Sequence, residues 1–286
     1  MSYTTTQYVL SAENHATKAG VVICNSDHTT YPTAPDPIVG EDTANPMSNL
    51  ITWDRCAICA IGPGQLDTLN IDLKLAAASS VKVIGFHGAN WWPGSTYPAT
   101  YKVYYSTAGS YPSSWTNFIA GDAAKTWLGS RDSVTVLAEA VAGVTFVRFT
   151  FLALEASIGF NVGKFLLAAA PSDLGVLSAP GATYGALLAR SRVTSVDGRP
   201  TVTEYGTTRE LLTLPFINVG HTIRTALVTL GRELRPFLLR NGVDGTWAEC
   251  LPAVEGLTSE HVWGQVESAA NLTDVWSATL TVETLY

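Results

Sequence analysis

Apolar and polar residues alternate along several stretches of this chain, and the alternation predicts β-strands. In 145–151, TFVRFTF, bulky apolar residues alternate with Arg148 and Thr150, and Arg148 is expected to face outward. A half-exposed strand is indicated at 69–74, where leucine and isoleucine alternate with asparagine, aspartate and lysine. Another alternating stretch occupies 275–283. The pattern therefore predicts a mainly β protein.

The stretch 81–106, VKVIGFHGANWWPGSTYPATYKVYYS, predicts two strands joined by an aromatic loop. Residues 87–94 continue neither strand, because glycine and proline interrupt the backbone ladder. Trp91 and Trp92 are adjacent and point in roughly opposite directions, so burial of both is not expected. The loop is a candidate recognition site. The alternative is that one tryptophan closes the end of a β-sandwich.

A single segment has the spacing of an amphipathic helix. Up to residue 167 the chain shows only short strands and turn-rich loops, which is typical of a sandwich. In 221–234, by contrast, four apolar residues share one helical face, and Pro236 ends the helix. These four residues are Ile223, Leu227, Leu230 and Leu234.

The composition excludes some classes of partner. Hydrophobic residues make up 47% of the 286 residues, and charged residues only 14%. Thr, Ser, Asn and Gly must then supply much of the polar surface, as suits a β-rich protein partly covered by neighbours in an assembly. The net charge is -7 without a cluster of basic residues, so nucleic acid is not an expected partner. We expect no signal peptide and no membrane insertion.

The residues that carry catalysis or bind metals show no recognisable constellation. Cys56 and Cys59 have CxxC spacing, but their setting resembles a strand with buried thiols more than a zinc or redox site. No GxSxG motif is present, and no two of the five histidines are spaced as a helical metal pair. We therefore predict no enzyme activity, catalytic residue, metal or cofactor.

Acidic residues offer two weaker alternatives. Carboxylates near the aromatic insertion at 107–131 have no glycosidase-like arrangement and are expected to be solvated; they are Asp122, Asp132, Glu139 and Glu155. An oxygen-rich loop lacks the repeating spacing of a calcium loop; its residues are Asp36, Glu41, Asp42 and Asn45.

The order of these features resembles the galactose-binding-like, discoidin-type jelly roll. The resemblance covers about residues 45–170. It rests on an early NL…W segment, on LDTLNIDLKLAAASSVKVIGFHG, on YKVYYST after the aromatic loop, on VTFVRFTFLA and on FNVGKFLLA. It implies a β-sandwich whose loops at one end often bind sugars or partner proteins, and it does not imply catalysis.

The second half resembles the C-terminal part of tail proteins from tailed bacteriophages. An arginine-bearing strand leads into LPF, the predicted helix ends in LRPFLL, and the last strand reads WSATLTVE. The sequence changes character at 170–173, which places the domain boundary there. We predict a galactose-binding-like sandwich at 1–172 and a smaller, β-rich α+β domain at 173–286 with one helix near 221–234.

This resemblance implies a structural protein of a phage tail tip or baseplate, made in the host cytoplasm and located in the virion. Its expected partners are other tail proteins, further copies of itself in a homo-oligomeric ring, and host-surface glycan. The first alternative is a stand-alone lectin or adhesin. The second, which the carboxylates support least, is an enzyme that degrades cell-wall glycan.

Sugar recognition combines aromatic faces, which stack on the C–H side of a pyranose, with polar groups that bond its hydroxyls. The sequence offers this mixture in the 87–97 loop and the following insertion. For His87, the alternative is a histidine satisfied by nearby backbone, and for the aromatic residues it is a subunit interface. The candidate binding residues are His87, Asn90, Trp91, Trp92, Tyr97, Trp115 and Trp127.

Overall fold

The computed structural model describes seventeen stretches of the chain. They are 7–11, 14–25, 41–51, 59–62, 68–87, 100–122, 124–126, 133–152, 160–169, 172–176, 183–187, 190–194, 200–204, 209–219, 237–240, 247–261 and 276–284. The helix predicted at 221–234 lies outside these residues.

The described chain is mainly β, as the sequence predicts. Its first ten strands are β1 (Gln7–Ser11), β2 (Val22–Asn25), β3 (Cys59–Ile61), β4 (Thr68–His87), β5 (Thr100–Ser106), β6 (Thr116–Asn117), β7 (Lys125–Thr126), β8 (Ser133–Leu152), β9 (Phe160–Val162) and β10 (Lys164–Ala168). The others are β11 (Ser172–Val176), β12 (Thr183–Leu187), β13 (Arg190–Thr194), β14 (Pro200–Glu204), β15 (Arg209–Val219), β16 (Phe237–Arg240), β17 (Trp247–His261) and β18 (Trp276–Thr284). Short 3₁₀ helices occupy Met47–Ile51 and Ala120–Asp122.

The chain forms two compact units. The first contains Ser11–Ser172, and the second contains Asp173–Tyr286 together with Thr4–Leu10. Strand β1 lies between β11 and β16 in the seven-stranded sheet of the second unit. The N-terminal strand thus pairs within the second unit, whereas the sequence pattern predicts one domain over residues 1–172.

The first unit is a β-sandwich in which two long strands run through both layers. Strands β4 and β8 are each 20 residues long and pair with each other along most of their length. The first half of β4 lies beside β2, and the second half lies beside β10. The second half of β8 pairs with β5. Register shifts between Lys74 and Val83 mark irregularities of the kind that let strands bend from one layer to the other.

Aromatic side chains fill the space between the layers. The rings of Phe149, on one layer, and Phe165, on the other, stack with their centroids 4.0 Å apart. Phe86 meets Tyr101 edge-on at 5.0 Å and Phe151 at 5.6 Å. All five side chains are fully buried. The period-two alternation thus places one face of each strand in a shared core, which confirms the predicted sandwich.

Two glycines are required where the long strands approach or turn. A Cβ on Gly85 would lie 2.2 Å from the carbonyl oxygen of Ser133 and 2.8 Å from Cα of Val134. Gly143 has a φ of 72°, a left-handed conformation that glycine adopts at little cost. The close pairing of β4 with β8 therefore depends on a position without a side chain.

The second unit contains an antiparallel core of β15, β17 and β18 within the order β11-β1-β16-β17-β18-β15-β12. Leu212 and Leu214 on β15 pair in register with Val282 and Leu280 on β18, and all four are buried. Strands β13 and β14 form a separate two-stranded sheet. Among the described residues, no helix is both long enough and apolar enough to span a membrane.

Candidate functional site

Two of the seven predicted binding residues, His87 and Trp115, are described by the structure. The other five lie outside the described residues; they are Asn90, Trp91, Trp92, Tyr97 and Trp127. For these five, a binding role stays a prediction.

His87 is the last residue of β4 and is 2% exposed. It pairs in register with Lys164 of β10, and its carbonyl oxygen accepts a hydrogen bond of 2.9 Å from the backbone N–H of Gly163. In this arrangement the imidazole presents little surface to solvent.

The start of β5, which follows the predicted aromatic loop, lies close to the end of the insertion. Thr100, at the start of β5, pairs with Thr126 of β7, and Tyr101 pairs with Lys125. The chain therefore returns to the start of β5 one residue before Trp127. Trp115 lies elsewhere, because the next residue, Thr116, pairs with Tyr105 near the opposite end of β5. The structure thus separates Trp115 from the end of the sandwich that carries His87.

A buried ion pair joins β4 and β8 on the outer face of the layer formed by β2, the first half of β4, the second half of β8 and β5. Asp72 of β4 and Arg148 of β8 are register partners. The Arg148 Nε donates to Oδ1 of Asp72 at 2.7 Å, and Nη2 donates to Oδ2 at 2.8 Å. The Asp72 side chain is fully buried, and that of Arg148 is 18% exposed. This two-pronged geometry fixes the guanidinium plane as well as its position.

Two aromatic residues of the segment after β5 pack on this ion pair. The hydroxyl of Tyr111 donates to Oδ2 of Asp72 at 2.7 Å and accepts from Nη2 of Arg148 at 2.9 Å. The guanidinium carbon of Arg148 lies 4.3 Å from the centroid of the Trp115 ring, a cation–π contact. Tyr111 also meets Trp115 edge-on at 6.2 Å. Trp115 remains half-buried, so part of its ring reaches solvent. We call these four residues, Asp72, Tyr111, Trp115 and Arg148, the Trp115 cluster.

Contacts within the Trp115 cluster fix the protonation states of Tyr111 and Arg148. Burial raises the pKa of Tyr111, and the hydrogen bond to Asp72 and the charge of Asp72 raise it further. Burial by itself would lower the pKa of Arg148, but the hydrogen bonds and charge of Asp72 outweigh burial and raise it. Tyr111 is therefore neutral and Arg148 charged at ordinary pH.

Polar and aromatic side chains surround the Trp115 cluster on the same face. Residues that pair in register share a face, so Tyr104 of β5 lies beside Arg148. One row along, Lys102 pairs with Thr150, whose hydroxyl donates to Oδ1 of Asn70 at 2.7 Å. On the other side, Lys74 of β4 is exposed.

No motif in the sequence marks Asp72, Tyr111 or Arg148 as a site residue. Alternation did place Arg148 outward, as the structure confirms, and it placed Asp72 among the polar positions of a half-exposed strand. What the alternation could not supply is the pairing of residues 76 positions apart. The available signal for an ion pair was one charged residue in each of two alternating strands, an aspartate in the first and an arginine in the second.

Other candidate groups have structural roles in the described residues. Asp42 accepts hydrogen bonds from the backbone N–H of Ala44 and the side chain of Asn45, and Glu41 accepts one from the backbone N–H of Met47. These oxygens thus organise the chain before a 3₁₀ helix. Burial, followed by the charge of Glu41, raises the pKa of Cys59 to about 12, so its thiol is unreactive at neutral pH. No group of three or more metal-binding side chains occurs among the described residues.

The solved structures that match this chain include carbohydrate-binding modules and a GH29 fucosidase from Ruminococcus gnavus, which is matched over 27% of its own length. No protein-family model matches the chain, and no curated protein matches it. The family 32 module of Clostridium perfringens NanJ, in complex with galactose, is 11% identical over 56% of this chain and 98% of that one, with a TM-score of 0.37. CpGH89CBM32-5 from the same organism, in complex with GalNAc-β-1,3-galactose, is 13% identical over 54% and 99%, with a TM-score of 0.38. CpGH89CBM32-6 is 17% identical over 55% and 100%, with a TM-score of 0.36. At these identities and TM-scores, neither a family nor a ligand follows for this chain.

Proposed function

We propose that the first unit is a non-catalytic carbohydrate-binding module that uses Trp115 as an aromatic platform. The observation that carries the proposal is the fixed, partly exposed Trp115 ring. The ring rests on Arg148, and Arg148 is held by Asp72 and Tyr111.

A platform of this kind suits a sugar for two reasons. Aromatic faces stack on the apolar C–H side of a pyranose, and nearby polar groups bond its hydroxyls. Asn70, Lys102 and Tyr104 are partly exposed on the same face. Because the contacts of the Trp115 cluster hold the ring before any ligand arrives, little conformational freedom remains to be lost on binding.

The competing interpretation is that the Trp115 cluster only fastens the segment after β5 to the sheet. Tyr111 meets Phe146 edge-on at 6.2 Å, which is a packing contact of this kind. The two interpretations differ in what a conservative change at Trp115 does to binding and to stability.

The test is a glycan array, followed by titration calorimetry with the best ligand, on the full chain and three variants. We expect Trp115→Ala to weaken binding about fivefold, since stacking contributes about 1 kcal/mol. Trp115→Phe keeps an aromatic face and should retain most of the affinity. Trp92→Ala tests the predicted aromatic loop in the same assay.

Each result has a definite meaning when melting temperatures are measured alongside. Failure of the wild-type chain to bind any glycan would overturn the proposal. Glycan binding lost only with Trp92→Ala would move the site to the predicted loop and leave Trp115 with a packing role. A Trp115→Ala variant that loses stability but no affinity would assign the Trp115 cluster to packing.

The role in a phage tail remains a prediction from the resemblance of the second half, as do the virion location, the tail-protein partners and the ring. Light scattering on the full chain tests the ring. A monomer in solution would contradict it, while leaving the carbohydrate-binding proposal intact.

A further inference from the structure

We infer that Arg148 is itself a ligand-binding residue, which donates a hydrogen bond from Nη1 to a carbonyl oxygen of the glycan. The carbonyl belongs to an acetamido group or to a carboxylate of the sugar. This inference rests on the proposed function and adds a polar binding group beside the Trp115 ring. The observation behind it is the one nitrogen of the Arg148 guanidinium that the Trp115 cluster leaves open.

The Arg148 guanidinium has three nitrogens, and the Trp115 cluster uses two of them. Nε donates to Oδ1 of Asp72, and Nη2 donates to Oδ2 of Asp72 and to the hydroxyl oxygen of Tyr111. Nη1 makes no hydrogen bond to any residue that the structure describes. It is not enclosed either, because no side-chain nitrogen of Arg148 is both buried and without a hydrogen bond. Nη1 therefore reaches solvent, and it carries two N–H groups.

Only the donor side of the ion pair faces a ligand. The Asp72 side chain is fully buried, whereas that of Arg148 is 18% exposed. The oxygen of Tyr111 already accepts from Nη2 and donates to Asp72. A carbonyl oxygen brings lone pairs alone, but a hydroxyl also brings a proton, and the acceptors of the Trp115 cluster are buried or already bonded. The Trp115 cluster therefore favours a carbonyl oxygen over a hydroxyl.

This recognition requires no surplus of positive charge. Asp72 offsets the charge of Arg148 within the ion pair. A hydrogen bond from a guanidinium is nevertheless stronger than one between neutral groups, so a neutral acetamido carbonyl suffices and a carboxylate fits the same donor. The guanidinium carbon lies 4.3 Å from the centroid of the Trp115 ring. A sugar that packs against the exposed part of this ring thus has Nη1 as a neighbour.

The experiment uses matched pairs of glycans on the array, with calorimetry on the pairs that bind. The members of one kind of pair share a backbone and carry either a hydroxyl or an acetamido group at C2. The members of the other kind carry either a hydroxymethyl group or a carboxylate at C6. The wild-type chain should prefer the carbonyl-bearing member of at least one kind of pair by about tenfold or more, as expected for a hydrogen bond from a charged donor. The kind of pair that shows the preference identifies the source of the carbonyl.

The matched variants make the same replacement at two positions. Arg148→Lys keeps a positive charge beside Asp72 but removes Nη1, and should reduce the preference within a pair to less than about twofold. A purely structural role of Arg148 would weaken the binding of both members equally and leave the preference unchanged. Arg240→Lys, in β16 of the second unit, is the control and should keep the full preference.

A crystal structure of the wild-type chain with the preferred glycan decides the question even if Arg148→Lys does not fold. The carbonyl oxygen should lie within about 3.2 Å of Nη1. No preference within the pairs, a preference that Arg148→Lys leaves intact, or a carbonyl oxygen bound elsewhere would each overturn the inference and leave carbohydrate binding standing. Failure to bind any array glycan would overturn the proposed function as well.

Discussion

Asp72 supplies the buried negative charge of the Trp115 cluster. It is fully buried and accepts hydrogen bonds from Arg148 and Tyr111. A buried carboxylate is tolerated only when its oxygens are bonded and its charge is paired, and both conditions hold here. Replacing the carboxylate would leave Arg148 partly desolvated without a counter-charge.

We predict that Asp72→Asn lowers the free energy of unfolding of the first unit by about 2–3 kcal/mol, with a fall in melting temperature of about 5–10 °C. Differential scanning calorimetry measures this change. The control is Glu139→Gln, which makes the same amide replacement at an exposed position of β8 and should cost less than about 0.5 kcal/mol. Equal melting temperatures for the two variants would contradict a stabilising role of the ion pair.

Tyr111 makes the stability of the Trp115 cluster depend on pH at the alkaline end. Its pKa is raised above the ordinary value of 10.0, so the folded state holds the phenolic proton more tightly than the unfolded state does. The resulting stabilisation is complete below pH 10 and is lost as the pH rises from there through the raised pKa.

Tyr111→Phe should therefore cost about 1 kcal/mol at pH 8, because the hydrogen bond to Asp72 is lost. The difference between wild type and variant should shrink at pH 10.5. Urea unfolding at pH 8 and at pH 10.5 measures this difference in free energy of unfolding. Because wild type and variant are compared at each pH, the contributions of other groups that titrate in this range cancel. A difference that does not change with pH would show that Tyr111 does not hold its proton more tightly in the folded state.

At the scale of elements, the pairing of β4 with β8 organises the first unit. Each strand carries core residues on one face and, in its part near the Trp115 cluster, polar residues on the other. The same pairing that places Ile71 next to Phe149 in the core places Asp72 next to Arg148 on the outer face. The core and the candidate site thus share one register, and a slip by one residue would destroy both.

Gly85 tests this pairing directly. We predict that Gly85→Ala lowers the free energy of unfolding by about 3 kcal/mol or prevents folding, because the new Cβ would overlap backbone atoms of Ser133 and Val134 that cannot rotate away. The control is Gly109→Ala, where no atom lies within 4 Å of the new Cβ and the stability should hardly change. Equal melting temperatures for the two variants would mean that β4 and β8 do not approach as closely as the structure shows.

At the scale of the whole molecule, the second unit depends on a strand from the far end of the sequence. Strand β1 lies between β11 and β16, although most of the first unit separates it from them along the chain. Without β1, both neighbours would lose backbone hydrogen bonds on one edge. The seven-stranded sheet of the second unit is therefore complete only when the N-terminal strand has joined it.

We predict that Val9→Pro raises hydrogen exchange in β11 and β16 while β4 and β8 stay protected, since proline removes a backbone donor from β1. Hydrogen–deuterium exchange of the full chain, measured by mass spectrometry, locates the change. Val9→Thr is the control, because threonine keeps the donor and suits a strand. Protection in β11 and β16 that is the same in both variants would mean that β1 adds nothing to this sheet.

The sequence by itself determined the mainly β character of the chain and the outward position of Arg148. Both follow from alternation with a period of two, because successive side chains of a strand point to opposite faces and only one face is buried. It also placed Trp115 among the binding candidates, through its aromatic character in a polar insertion.

The tertiary structure alone decided which strands are neighbours. Alternation gives the face of a residue but not its partner across the sheet, so Asp72 and Arg148 could not be joined from the sequence, nor Trp115 separated from His87. The position of β1 in the sheet of the second unit could not be predicted for the same reason. Strand pairing over long separations is chosen by the packing of the whole core against the entropy of closing the intervening chain, and no local pattern records that balance.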